Sequence, residues 1–397
     1  MSTTTNQGQV QPRTHRRRRC GRKKPSAASP AHPVEGFLHV DGDGQATLIP
    51  LSHRFLPHPQ DPLVEPSLLT TWHLKGGLRL SGEARRNGNR LILSKLVAIE
   101  GMPPEVYRQQ AVPFSELTSI DPTERFRLET TAEVLETRVV ELLAPIGKGQ
   151  RCLIVAPPKA GKTTLLQQLA HAIATNHPEV HIFVLLVDER PEEVTAWVRS
   201  VIRGEVFASS SDQDASSHIA VSEMVLERAR RLVELGQDVV VFMDSLTRMS
   251  RAYNNVQKGS GRILSGGIDA RTMEKPRRFF GSARNVEHGG SLTIVATCLV
   301  DTGSRMDEVI FQEFKGTGNM EIVLTRDLFE RRIFPCIHIA SSGTRKEEKL
   351  YSREEVEKLY LLRRALAALP NHEAMQLLLS KLRQYPTNQD FLASFKA

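Results

Sequence analysis

The residues with the clearest chemistry lie in Ala156-Pro-Pro-Lys-Ala-Gly-Lys-Thr163. Their spacing is that of a phosphate-binding loop, with Ala156 where the first glycine usually stands. The apolar run Cys152–Val155 enters it and an amphipathic stretch, Lys162–Thr175, leaves it, so the spacing predicts a strand-to-helix turn. Backbone N–H groups at such a helix N-terminus wrap anionic oxygens, and the helix dipole helps. Lys162 is placed to reach the β- and γ-phosphates of a nucleotide and Thr163 to bind Mg²⁺.

Two carboxylates complete the chemistry. The run Ile182–Val187 ends in Asp188-Glu189-Arg190, and Val239–Met243 delivers Asp244-Ser245. A carboxylate at the C-terminal edge of a parallel strand points into the ligand crevice. Glu189 can there orient and polarise an attacking water. Asp188 can equally be a helix cap. Asp244 is the expected carboxylate of the Mg²⁺ shell, although Asp after an apolar strand also occurs as a plain turn residue. Hydrolysis further needs a cation near the γ-phosphate, for which Arg190, Arg248, Arg332 and Arg345 are candidates. Arg345 lies in Ser-Gly-Thr-Arg-Lys-Glu-Glu, a glycine-containing turn, where an arginine is either merely solvated or reaches a neighbouring subunit's nucleotide.

These residues need elements to position them. From Val134 onward, the near-continuous apolar runs Cys152–Val155, Ile182–Val187, Val239–Met243 and Leu292–Val300 alternate with amphipathic stretches such as Ser216–Leu235 and Arg353–Leu369. Such runs predict strands buried on both faces, hence a parallel sheet covered by helices. The last ~45 residues read as one or two helices with a turn at Pro370–Asn371. Residues 34–112 differ. Short runs (Gly36–Val40, Ala46–Pro50, Leu74–Leu80, Arg90–Ile99) separated by Gly, Pro, Asp and Asn predict a small oligonucleotide-type β-barrel, with Pro57–Pro66 as a loop. Residues 113–133 read as a linker, and residues 134–397 as the nucleotide-binding domain.

The 397 residues suggest two or three domains. There are 53 basic and 45 acidic residues, and residues 1–33 contain eight basic and no acidic ones. The whole excess of +8 therefore sits in this Arg-rich tail, whose composition predicts disorder. An arginine run attracts polyphosphates with an affinity that falls with salt; a passive solubilising tail is the plain alternative. No apolar run is long enough to span a membrane or to make a signal peptide. The four cysteines form no CxxC pair, which argues against a zinc ribbon or disulfide framework and fits a cytoplasmic location.

Several stretches resemble the bacterial transcription termination factor Rho family: PIGKGQR (145–151), APPKAGKTTLL (156–166), DERPEEV (188–194), DSLTRMSRAYN (244–254) and SGGIDA (265–270). So do FFGSARNVEHGGSLTIVAT (279–297), DTGSRMDEVIFQEFKGTGNME (301–321) and SGTRKEE (342–348). The resemblance spans roughly residues 134–397. It implies a RecA-like P-loop ATPase domain in a homohexameric ring, acting as an RNA-dependent ATPase and 5′–3′ RNA–DNA helicase that binds nascent RNA and dissociates transcription complexes, with RNA polymerase as a partner. It assigns Lys159, Ala160, Gly161, Lys162, Thr163 and Thr164 to the nucleotide loop. It also places Gly147, Lys148, Gly149, Gln150, Arg151 and Cys152 beside the nucleotide, with Arg190 touching it and Phe334 stacking on adenine. Glu189 resembles the catalytic glutamate, Asp244 the Mg²⁺ carboxylate and Arg345 an arginine finger supplied across the interface. Two loops resemble those that grip RNA in the ring channel, one with Arg262, Ile263, Leu264, Ser265, Gly266 and Gly267, the other with Arg305. Without the resemblance, both loops read equally well as surface turns.

The N-terminal match is weaker. The family's barrel is cold-shock-like and captures single-stranded RNA through aromatics near a Gly-Phe-Gly-Phe pattern. Here Gln45 and Thr47 stand at those positions. Each base–aromatic stack contributes ~1–3 kcal/mol, so this barrel reads as degenerate, with the Arg-rich tail taking over part of RNA capture. Phe37, Phe55 and Trp72 are the nearby aromatics, and Trp72 reads as core. Two alternatives stand beside this reading. One is a rotary ATP synthase subunit, which would lack the DERPEEV and SGTRKEE combination. The other is an ATP-binding RNA regulator that no longer hydrolyses.

Overall fold

The computed structural model describes residues 1–4, 30–256 and 271–395. Five strands, β1 (His32–Val40), β2 (Ala46–Pro50), β3 (Leu63–Val64), β4 (Arg79–Asn87) and β5 (Arg90–Ile99), close a barrel in the order β1-β2-β3-β5-β4. Inward residues such as Leu38, Leu48, Leu80 and Leu93 fill its core. The expected run Leu74–Leu80 forms a strand only at its end. Gly77 adopts φ +83°, turning the chain before β4, while Leu74 and Leu78 plug the barrel from the loop. The stretch expected as a loop contains β3 and is followed by a helix, Pro66–Trp72, which starts on proline as a first helical turn allows.

The larger sheet is nine-stranded. After β6 (Ser119–Ile120) come β7 (Arg151–Ala156), β8 (His181–Glu189), β9 (Glu205–Ser210), β10 (Asp238–Asp244), β11 (Arg284–Val286), β12 (Ser291–Leu299), β13 (Met320–Val323) and β14 (Gly343–Thr344). The main order is β14-β13-β7-β12-β10-β8-β9, all parallel except β14. β11 pairs with β12 and with β6. The apolar runs thus became central strands. Their successive residues face two separate cores, Ile154, Val184 and Phe242 on one side, Val155, Leu185 and Met243 on the other. The first core is covered by helices Leu135–Leu143, Lys162–Asn176 and the C-terminal helices, the second by Ala215–Val233 and Leu246–Val256. The C-terminus forms three helices, Arg353–Ala367, Asn371–Leu382 and Asn388–Ala393, one more than the pattern suggested.

The barrel docks on the second core. Phe37, Ile49 and Phe55 belong to that core rather than to the barrel's own, and Phe55 stacks on Phe207 of β9 with ring centroids 4.2 Å apart. Gly77 packs so tightly on the helix Ala215–Val233 that a Cβ there would lie 2.5 Å from Arg228 N. Arg228 in turn donates to Glu100 at 2.6 Å.

Candidate functional site

Three parallel strands deliver the central residues to one edge. β7 ends at Ala156 and runs into the phosphate loop, β8 ends at Glu189, and β10 ends at Asp244. Because β12 lies between β7 and β10 in register, these C-terminal ends align and their side chains converge. Gly161, at φ +81°, turns the loop into the helix Lys162–Asn176. That turn puts Lys162 and Thr163 on the first helical turn, beside the carboxylates.

Lys162 Nζ donates to Asp244 Oδ1 at 2.5 Å and to Glu189 Oε1 at 3.5 Å. Thr163 Oγ1 donates to Asp244 Oδ2 at 3.4 Å, and Thr297 Oγ1 of β12 donates to Asp244 Oδ1 at 2.8 Å. Burial disfavours the Lys162 ammonium, but Asp244 and Glu189 more than offset this and its pKa lies above the ordinary lysine value. Glu189 is 3% exposed, and burial, reinforced by Asp244, pushes its carboxyl up to about 7. Arg248 spans both acidic residues of β8, with Nη1 2.9 Å from Asp188 Oδ2 and Nε 3.2 Å from Glu189 Oε1. Asp188 is therefore an anchor for Arg248, and the helix that follows starts on Pro191 after Arg190 with no side-chain cap.

This cluster has the chemistry for triphosphate hydrolysis. Lys162 at the helix start can meet an anion, a buried glutamate with a pKa near neutrality can accept a proton, and the Thr163 and Asp244 oxygens can meet a metal. Thr163 Oγ1 and the Asp244 carboxylate, 3.4 Å apart, fit Mg²⁺, which takes few protein oxygens and completes its shell with phosphate and water. Among the described residues no cluster of three or more His, Cys, Asp or Glu offers a metal cage of its own.

Beside the loop lies an apolar cleft of about 390 Å³, lined by Ala160, Leu165, Gln168, Phe329, Phe334 and Cys336 among others. Thr164 also borders it. Phe334 is 42% exposed and meets Phe329 edge-to-face at 6.0 Å, leaving a ring face available to a planar base. Lys159 sits in the loop at φ +64°, and Arg190 is exposed next to Glu189.

The structure separates other sequence candidates from this cluster. Gly147–Cys152 lie at the start of β7, the opposite end of a six-residue strand, hence roughly 15–20 Å from the phosphate loop of the same chain. There they build the N-terminal end of a central strand. Lys148 is gripped by Glu124 (2.7 Å) and Asp238 (2.9 Å). Gln150 Nε2 donates to Asn319 Oδ1, Arg151 donates to the carbonyls of Thr317 and Ala283, and Cys152 is buried. Gly149 adopts φ +89° where a Cβ would meet Asn285 N at 2.2 Å. Gly147 is packed against Pro122 and Leu350. Arg345 stands at this same far end, its N–H donating to Asn319 O at 2.9 Å. One chain alone therefore does not bring Arg345 to its own Lys162 and Glu189.

Arg305 begins the helix Arg305–Lys315, at the edge where β12 ends opposite Ala156, so it shares the side of the phosphate loop. Asp307 of that helix accepts two bonds from Arg251, at 3.0 and 2.6 Å, on the helix that follows Asp244. That helix, Leu246–Val256, leads into the stretch with Arg262, Ile263, Leu264, Ser265, Gly266 and Gly267, which lies outside the described residues, as do residues 5–29 of the basic tail. Thr297 is a site residue that sequence reasoning missed; a threonine inside the apolar run Leu292–Val300 was its one signal.

Comparison with known proteins gives three findings. A model of the nucleotide-binding domain of the ATP synthase alpha/beta family matches residues 136–344. The chain is 51% identical over 360 residues to the transcription termination factor Rho of Borreliella burgdorferi, covering 90% of this chain and 70% of that one. It is 50% identical to the Rho of Cereibacter sphaeroides (91% of this chain, 86% of that one) and 49% to that of Pseudomonas aeruginosa (91% and 87%). Among solved structures, a prototypical ATPase from a type III secretion system superposes with a TM-score of 0.59 at 22% identity, covering 70% of this chain and 85% of that one. An ATP synthase subunit from Nanoarcheaum equitans gives 0.57 at 18% identity (69% and 73%). These structural likenesses are likenesses of fold.

Proposed function

The chain belongs to the transcription termination factor Rho family, and we propose how its own residues carry out that family's ATP-driven work. It is an ATP-hydrolysing transcription termination factor of the translocase and helicase type. ATP binds with its phosphates on the loop 156–164 and its base against Phe334. Lys162 exchanges its carboxylate partners for phosphate oxygens. Thr163 and Asp244 would hold Mg²⁺, which would supply positive charge beside the phosphates. Glu189 orients the attacking water, and Arg248, anchored on Asp188, fixes the glutamate's direction.

The observation that carries the assembly is the placement of Arg345. It lies at the sheet edge opposite Lys162 and Glu189 of its own chain, with Arg151 and Gln150 beside it. A cation so placed can serve a γ-phosphate only by facing another subunit's loop. A homohexameric ring with nucleotide at each interface satisfies this, and in it the stretch Gly147–Cys152 comes near the neighbour's nucleotide instead of its own.

RNA is the polymer such a ring would thread. The helix Leu246–Val256 starts two residues after Asp244 and leads toward Arg262–Gly267, and Arg251 ties it to the helix of Arg305. Changes at the phosphates thus have a short path to both proposed channel loops. At the barrel, Phe37 and Phe55 are consumed by docking and Trp72 is half-buried in packing, so stacking platforms are scarce. The exposed Arg85 and Arg86 on β4 and the Arg-rich tail, residues 1–33, would hold RNA as cations. We place the barrel domain at 34–112, with β1 reaching back to His32, the connector at 113–133, whose β6 joins the ATPase sheet, and the ATPase domain at 134–397, and infer a cytoplasmic protein that meets RNA polymerase. Among the described residues no helix is long and apolar enough to cross a membrane.

The test is ATP turnover against a panel of RNAs at two salt concentrations, with Lys162→Ala and Glu189→Gln as controls and with the tail present or deleted as residues 1–30, which hold all its basic residues and leave β1 whole. RNA should stimulate the wild type strongly. Both substitutions should abolish turnover, by a factor on the order of 10²–10⁴ for Glu189→Gln. The deletion should weaken RNA binding most at low salt. Negligible turnover in all three full-length proteins would instead indicate a regulator that binds ATP without hydrolysis.

A further inference from the structure

Arg345 must hold a defined direction to serve a neighbour, yet it sits in a short surface turn after β14. Behind it, its N–H is fixed to Asn319 O, and Asn319 Oδ1 accepts from Gln150 Nε2 at 2.7 Å and Arg151 N at 2.9 Å. Ahead of it the chain needs a second anchor. Lys346, the next residue, takes φ +58°, a conformation uncommon for a residue with a side chain, and caps a 3₁₀ turn, Glu347–Lys349. That turn aims two lysines at one carboxylate. Lys346 Nζ donates to Asp121 Oδ1 and Oδ2 at 3.0 and 2.9 Å, and Lys349 Nζ donates to Oδ2 at 2.6 Å.

Asp121 is itself held. It follows β6, whose Ile120 pairs with Asn285 of β11, and its carbonyl accepts from Asn285 Nδ2 at 3.4 Å. Asp121, Arg151, Asn319, Arg345 and Lys346 surround one cavity of about 190 Å³. Asp121 is the carboxylate among those residues, against three cations. We propose that Asp121 is a positioning residue for Arg345: through Lys346 and Lys349 it fixes the finger turn to the segment that arrives from the barrel. The inference rests on the reading of Arg345 as the cation supplied to the neighbouring nucleotide.

The energetics separate this role from a structural one. Asp121 and both lysines are more than a third exposed, and such pairs contribute little to stability. Displacing a transition-state group by about 1 Å, in contrast, can lower a rate by up to about 100-fold. Lys349 and Lys346 hold the Asp121 carboxyl below the usual range, so the clamp persists at any working pH.

The experiment measures kcat, KM for ATP and melting temperature of the full-length protein at saturating RNA. The variants are Asp121→Asn, Asp121→Glu, Lys346→Ala with Lys349→Ala, all three of Asp121→Asn, Lys346→Ala and Lys349→Ala together, and Arg345→Ala. Asp121→Asn should lower kcat by about tenfold, with KM within twofold and the melting temperature little changed. Asp121→Glu should restore most of the rate. The double lysine variant should match Asp121→Asn, and the triple variant should be no slower than either. Losses that multiply in the triple variant, or a kcat for Asp121→Asn within twofold of wild type while Arg345→Ala is inactive, would overturn the inference alone. Wild-type turnover by Arg345→Ala would overturn the reading of Arg345, and the inference with it.

Discussion

At the residue scale, the state of Glu189 decides the pH response. Its carboxyl is raised from 4.5 to about 7 by burial and by Asp244, while Lys162 and Arg248 pull the other way. The ionised form is the one that accepts a proton, so kcat/KM for ATP should rise with pH below about 7 and level off above it. Arg248→Gln removes one of the opposing charges and should move that inflection to higher pH, as read from a pH–rate profile. An unmoved inflection would mean that Arg248 does not face Glu189 in solution. The same shift carries a stability sign. Between pH 4.5 and 7 the folded state keeps a proton that the unfolded chain releases, so this group makes unfolding progressively easier as pH rises through that window.

At the element scale, the docking of barrel on ATPase domain is an aromatic contact. Phe55 stacks on Phe207 of β9, and Phe207 meets Phe183 of β8 edge-to-face at 5.5 Å. β8 is the strand that ends at Glu189, so barrel contact reaches within one strand length of the chemistry. Phe55 is fully buried, and truncating a buried phenylalanine typically costs about 3–5 kcal/mol. Phe55→Ala should therefore lower the denaturant midpoint of the barrel's unfolding clearly more than Trp72→Ala, whose ring is only half-buried. Equal effects from the two would place the main docking contact elsewhere.

At the scale of the whole molecule, the phosphate loop and Arg345, the proposed finger, lie at opposite ends of the strands of one sheet, and this has a consequence for mixtures. Lys162→Ala and Arg345→Ala proteins should each be inactive alone. In mixed rings, an interface that pairs an intact phosphate loop with an intact Arg345 is restored, so mixing the two should recover a measurable part of wild-type turnover. No recovery, with mixed assembly established by tagged subunits, would mean that Arg345 does not act across an interface.

Whatever is written in local spacing can be read from the order of residues alone. The phosphate loop, the strands ending in Glu189 and Asp244, and the parallel sheet were legible because a strand-to-helix turn and a doubly buried strand each impose a pattern over a few consecutive residues. The apolar run 152–155 became β7, and the helix expected at Lys162–Thr175 ends one residue later. Tertiary structure decided what joins residues far apart in the chain. Phe37 and Phe55 went to the interface between barrel and sheet, Arg248 to Asp188, and Lys346 to an aspartate 225 residues away. It also decided that Gly147–Cys152 and Phe334 do not meet around one chain's nucleotide. A motif fixes the direction of its own backbone, but the neighbours of a side chain are fixed by strand order and by which face packs where, and those depend on the whole chain at once.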